Sequence, residues 1–233
     1  MSATSSPFYI PVDLSHTALI LADIQSQIAA RLPQDELKQM TDHVLELTNL
    51  FRAEIARCRS QPKPAGTAYD GVPLIIHHIF PAGINGNSFI SHYNKLYTWF
   101  QKLEAAGHFS RDAADPNKPS YQVLPKLVPE GGWGGKDEII IPKLTASCFG
   151  SSELVQYLRA RGVKHIMLCG LTTVGAILGT ARAGADLDFH MIVPREGTMD
   201  DERDVNDFIL EKVLPKFVDV VGVEDVKGLF RER

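Results

Sequence analysis

The feature that most constrains this chain is the regular exchange of short, β-prone apolar runs for segments of helical periodicity. TALILA (Thr17 to Ala22), VPLIIHHIF (Val72 to Phe80), EIII (Glu138 to Ile141), KHIMLC (Lys164 to Cys169), DFHMIV (Asp188 to Val193) and FVDVV (Phe217 to Val221) are six strand-sized blocks. Between the first two, Met40, Val44, Leu47, Phe51, Ile55 and Cys58 recur at helical spacing, so Asp35 to Cys58 reads as a long amphipathic helix. Ser151 to Arg161 reads as a helix closed by Gly162, and Val174 to Gly184 as a helix of small residues. Asp200 and Asp201 are expected to start another, with Val205, Phe208, Ile209 and Val213 on its buried face. Strands that alternate with helices become parallel neighbours, because each helix crosses back to the end where the next strand begins. The prediction is a single α/β domain over residues 1–233, a three-layer α/β/α sandwich around a central, mainly parallel six-stranded sheet.

A chain of 233 residues can bury a core of that size, and 44% apolar with 22% charged residues is ordinary for a soluble globular protein. The formal net charge of −4 offers no electrostatic footprint for nucleic acid or an anionic membrane. The apolar runs are strand-length, too short to span a bilayer. MSATSSPFYIPVD lacks the basic start and apolar block of a secretory signal, and Cys58, Cys148 and Cys169 form no CxxC pair. Reduced thiols and a cytoplasmic location are therefore expected. Pro81 to Lys136 breaks the alternation. It is a long insertion rich in Gly, Asn, Pro and aromatics, with a helix expected around His92 to Ala106. Phe89, Tyr93, Tyr97, Trp99, Phe100 and Trp133 could wall a pocket, form a subunit contact, or make a small surface cluster of their own.

In open parallel sheets, ligands bind beyond the carboxyl ends of the strands. Three polar features fall at such ends: Asp23 after the first strand, Lys143 after the third, and the turn that begins at Gly170 after the fourth. Each has a plain alternative, as a turn cap, a solvated lysine or a packed turn. Their common placement raises the case for one crevice.

The segments ALILADIQ, PKLTASCFGSSELVQYLRARGVKHIMLCGLTT and TAR together resemble the isochorismatase-like hydrolase superfamily, also called the cysteine hydrolases, from about Thr17 to about Val221. The resemblance implies a catalytic Asp in a D-x-Q setting, which falls on Asp23 with Gln25. It implies a Lys ahead of an S-A-F-like segment, which falls on Lys143 with Ser147-Cys148-Phe149. It also implies a G-[LV]-x-T turn, which falls on Gly170-Leu171-Thr172-Thr173, commonly with a cis peptide, here Leu171–Thr172. The family's nucleophilic Cys falls on Ala176, whether counted on from Gly170 or back from Thr180-Ala181-Arg182.

In cysteine hydrolases the thiolate sits at a helix N-terminus, the Asp takes its proton, the Lys tunes the Asp, and backbone N–H groups hold the oxyanion. Ala176 removes that route, and Cys148 and Cys169 lack any activating neighbour in the sequence. Isochorismatases resemble this chain in carrying a small residue at that position; there the Asp protonates a vinyl ether and water captures the oxocarbenium ion. Transferred here, Asp23 would be the acid and Lys143 would orient it or bind a substrate carboxylate. An unperturbed Asp titrates at ~3.9, so burial or substrate charge would have to raise it.

The expected site is thus Asp23, Lys143 and Ala176 for the chemistry, with Gln25, Leu171, Thr172, Thr173 and Gly175 around the substrate. Gly175 and Ala176 could instead serve only helix-to-sheet packing. His77-His78 are expected to form a polar pocket wall or satisfied core, since the D-x-H pattern of the family's metal-binding nicotinamidases is missing. GINGN (Gly83 to Asn87) follows no phosphate-loop pattern. No metal or organic cofactor is expected, and the resemblance suggests a homo-oligomer. The substrate is a small carboxylated or amide-bearing molecule. Three accounts of Ala176 stand open: a natural cysteine-independent hydrolase of vinyl-ether type, a cysteine amidohydrolase with its nucleophile replaced, or a non-catalytic binding or scaffold protein.

Overall fold

The structure is a computed structural model that describes residues 6–61, 71–80, 91–106, 123–133, 135–150 and 152–231. Six strands run as expected, with small shifts at their ends: β1 (Thr17–Ala22), β2 (Leu74–Ile79), β3 (Glu138–Pro142), β4 (His165–Leu171), β5 (His190–Pro194) and, after a two-residue β6 (Thr198–Met199), β7 (Asp219–Val221). All pair in parallel in the order β3-β2-β1-β4-β5-β7, and β6 pairs with the end of β4. β6 was not expected; two residues are too few to carry a periodic signal.

Side-chain alternation builds the two outer layers. On β1, Leu19 and Leu21 face one side, where they pack with Val44, Leu47 and Phe51 of the 27-residue α2 (Gln34–Ser60). Ala18, Ile20 and Ala22 face the other, with Leu154 and Leu158 of α4 (Ser152–Ala160) and Ala181 of α5 (Leu178–Asp186). Such two-sided burial suits near-continuous apolar strands, and β1 is buried throughout. The short α1 (Ser26–Ala29) follows β1, α3 (Leu96–Ala105) lies in the insertion, and α7 (Val223–Arg231) closes the sheet. No helix among the described residues is long and apolar enough to cross a membrane.

Three local expectations change. The segment after β4 is not one α-helix: Thr173–Ile177 winds as a π-helical turn, with Ile177 N–H donating to Thr172 O at 3.2 Å, before α5 begins. Asp200 and Asp201 do not start a helix; α6 is Arg203–Phe208, with Glu202 at its N-cap position making no side-chain capping bond, and it continues as a π-turn over Ile209–Val213. Phe208 is 61% exposed, so it lies off the buried face that Ile209 occupies. Asp188 adopts a left-handed turn conformation (φ 70°) ahead of β5 rather than joining it. GINGN and Phe89 lie outside the described residues.

Candidate active site

Each main strand ends in a residue the site uses. Asp23 follows β1 in a left-handed conformation (φ 56°), which short polar side chains tolerate best, and its N–H donates to His78 O at 2.9 Å. Lys143 follows β3, with its N–H donating to Ile79 O at 2.9 Å. β1 and β3 are not neighbours, since β2 lies between them. The lysine's length closes the gap: Lys143 Nζ donates to Asp23 Oδ2 at 2.6 Å.

That ammonium has three N–H groups, and all three are placed. The other two donate to Thr145 O at 2.9 Å and Ala146 O at 3.0 Å. Lys143 is therefore held on Asp23 and has no donor left for a substrate carboxylate. Asp23 differs: its Oδ1 is buried without a hydrogen-bond partner. Burial pushes the Asp23 carboxyl above its ordinary value, against the opposing pull of Lys143.

β4 ends in Gly170 at φ 143°, where a β-carbon would collide with the backbone of Ala22. Glycine is required here for the fourth strand to approach the first. The Leu171–Thr172 peptide is cis. The following turn is tied from two sides. Gly175 and Ile177 donate to Thr172 O, while Val174 N–H donates to Asp200 Oδ2 at 2.7 Å. Thr173 Oγ1 bonds Thr198 Oγ1 at 2.8 Å and Asn206 Oδ1 at 2.6 Å. Burial first, then the neighbouring Asp201, push the Asp200 carboxyl up to about 6. Asp200 was missed in the sequence because a pair of aspartates reads as a local helix start, whereas its bond partner lies 26 residues earlier.

A cavity of about 800 Å3 opens over these strand ends, within the range of small-molecule sites. Asp23, Lys143, Leu171, Thr172, Gly175 and Ala176 all line it. Gln25 and Thr173 do not. Gln25 is fully buried and brackets Phe80, accepting from its N–H at 2.6 Å and donating to its carbonyl at 3.2 Å. It positions the Phe80 backbone beside the cavity that the Phe80 side chain lines. Thr173 is consumed by the Thr198–Asn206 contacts. The helix of the insertion forms a further wall.

Among the described residues, Cys148, Cys169, His77 and His78 do not line the cavity. Burial pushes Cys148 and Cys169 each up to about 12, which leaves them as inert thiols. His77 Nε2 meets Glu138 Oε1 at 2.8 Å, and Arg52 completes that network through Glu138. His78 is fully buried, neither ring nitrogen is hydrogen-bonded, and burial with the nearby Lys143 charge takes it down to about 3. The pair is core rather than pocket wall.

A parallel sheet with a buried Asp–Lys pair facing a cavity beyond its strand ends has its candidate site where open α/β sheets bind small ligands. Residues 17–225 match the family model described as the isochorismatase domain, and the chain belongs to that family of hydrolases. It is similar to the ureidoacrylate amidohydrolase RutB of Stutzerimonas stutzeri, at 26% identity over 212 residues, or 85% of this chain and 78% of the relative. A cysteine hydrolase from Pseudomonas syringae pv. phaseolicola shares the fold with a TM-score of 0.69, covering 99% of both chains at 18% identity. An isochorismatase family protein from Burkholderia thailandensis does so at 0.62, with 19% identity, over 95% of this chain and 99% of that one.

Proposed function

We propose that this chain hydrolyses a small carboxylated vinyl ether without a cysteine nucleophile, using Asp23 as the general acid. The observation that supports this is the buried Asp23, with Oδ2 fixed by Lys143 and Oδ1 unpartnered and able to carry a proton. Asp23 gives its proton to the terminal vinyl carbon, and the C=C electron pair forms the new C–H bond. The ether-bearing carbon becomes an oxocarbenium ion beside the Asp23 carboxylate that Lys143 now holds. Water adds to that carbon and returns a proton to Asp23. The hemiketal then collapses to a ketone and an alcohol. Ala176 contributes a methyl group to the wall and takes no part in bond making.

A second reading follows from the amidohydrolase relative: an amide-cleaving cysteine hydrolase in which Ala176 stands at the nucleophile's place. Release of pyruvate from an enolpyruvyl ether, followed before and after thiol alkylation, separates the two. The vinyl-ether route keeps its rate after alkylation and loses it, by about 100-fold or more, in Asp23→Asn. Full activity in Asp23→Asn refutes the general-acid role. The amidohydrolase reading requires that Ala176→Cys place a thiol that labels with iodoacetamide faster than Cys58 and forms a thioester with a suitable amide. If neither chemistry emerges, the scaffold account gains.

A further inference from the structure

We propose that the insertion segment around α3 and the loop after α1 build an anion subsite in this cavity, in which Lys95, Lys102 and Arg31 take the carboxylate of a small, flat substrate. The proposal rests on the reading that the cavity over Asp23 is the substrate site.

Lys143 cannot serve as the carboxylate's partner, because its three donors are held by Asp23, Thr145 and Ala146. The charge that recognises an anion must come from elsewhere on the wall. Trp99 and Lys102 lie three residues apart on α3, Lys95 sits in the turn that immediately precedes it, and all three line the same cavity as Asp23 and Ala176. Neither lysine is ion-paired among the described residues. Arg31 joins them from the loop after α1. Its guanidinium carbon lies 4.7 Å from the centroid of the Trp99 ring, which orients the charged plane, and its Nε is buried without a hydrogen-bond partner.

The sign of the wall opposes the sign of the molecule. Among the described lining residues, Lys143 is held by Asp23 and Arg31 faces Asp201 and Asp200, which leaves Lys95 and Lys102 as surplus cations on a chain whose formal net charge is −4. Burial holds the Asp23 carboxyl above its ordinary value, so the imbalance grows where Asp23 carries a proton. A low-dielectric cleft lined by one sign concentrates ligands of the other. Trp99, the ring between the two lysines, offers a face for an unsaturated or aromatic body.

Isothermal titration of the unaltered chain with benzoate and with benzamide tests this, since the two probes match in shape and differ in charge. Benzoate should bind about tenfold tighter or more, and the preference should shrink with added salt. The double variant Lys95→Gln, Lys102→Gln should lose most of the preference while keeping its circular dichroism spectrum. Arg31→Gln should lose a further part. Benzamide binding as tightly as benzoate overturns the proposal; so does binding of neither probe, or a preference that survives in the double variant. Failure here is distinct from failure of the chemistry. A benzoate preference together with full activity in Asp23→Asn removes the general-acid reading and leaves the subsite standing. An active, Asp23-dependent enzyme with no preference does the reverse.

Discussion

Replacing Lys143 by Met isolates the contact on which the site is built. The stem keeps its volume and apolar contacts, and only the ammonium is lost. Its side chain is 1% exposed and that of Asp23 is 10% exposed, with the charged atoms 2.6 Å apart. At an effective dielectric of ~20 that separation corresponds to about 6 kcal/mol of attraction, offset by the cost of burying both charges. Removing one partner of such a pair costs about 3–5 kcal/mol where the other must stay ionised. Asp23 has an escape, because it can take up a proton. Holding a proton on a group that titrates at ~3.9 when unfolded costs about 1.4 kcal/mol per pH unit, so roughly 1.5 kcal/mol at pH 5. By pH 8 that cost exceeds the price of leaving the charge unpaired. The exposed Thr145 and half-buried Ala146 carbonyls turn to water and add little. A raised carboxyl favours the folded state below its unfolded pKa and loses that advantage as pH rises through the folded value. Without the ammonium that opposes burial, the variant's Asp23 is raised further than the parent's, so its loss of stability extends to higher pH. Urea unfolding of both proteins at pH 5, 6.5 and 8 should show a gap that widens from about 2 to about 4 kcal/mol, at equal m-values. A gap below about 1 kcal/mol at pH 8, or one that does not change with pH, refutes the buried pair.

Gly170→Ala should destabilise by more than about 3 kcal/mol in thermal or urea unfolding, since the new methyl meets the Ala22 backbone and the φ of 143° is closed to alanine. A loss under 1 kcal/mol would mean that β1 and β4 can part cheaply. Asp200→Asn keeps an acceptor for Val174 N–H and removes a carboxyl raised to about 6 by burial. The parent should lose roughly 2 kcal/mol relative to this variant as pH rises from 4 to 7, read from urea midpoints. A pH-independent difference would show that Asp200 titrates normally.

The sheet was legible because its central strands β1, β2 and β4 are buried on both faces and so read as nearly unbroken apolar runs. Ala18 through Ala22 is the clearest case. Strand order was not legible. Asp23 and Lys143 were expected to leave neighbouring strands at one sheet edge; β2 instead lies between β1 and β3, and the reach of a lysine side chain still makes the contact. Gln25 and Thr173 were drawn toward the substrate by their positions in motifs. Both instead hold backbone, at Phe80 and at the Thr198–Asn206 junction, because a fully buried polar side chain binds the nearest unsatisfied group. The insertion helix was legible as a helix from its aromatic and apolar spacing, whereas the wall it joins depends on contacts distant in sequence.

Ala176 gains meaning from the turn around it. Acyl transfer places negative charge on an oxygen beside the nucleophile, and the N–H groups of the turn must be open to receive it. Three N–H groups of this turn have partners already, Gly175 and Ile177 in Thr172 O and Val174 in the Asp200 carboxylate. A carboxylate at the start of a helix also offsets the positive end of the dipole that would sustain a thiolate. Vinyl-ether protonation generates the opposite charge. In the proposed reaction the oxocarbenium ion is cationic, and the group that would stabilise it is the Asp23 carboxylate left by proton transfer, held in place by Lys143. An alanine in place of the thiol and an aspartate with one oxygen unpartnered suit the proposed chemistry, in which the charge that matters develops at the end of β1 rather than at the end of β4.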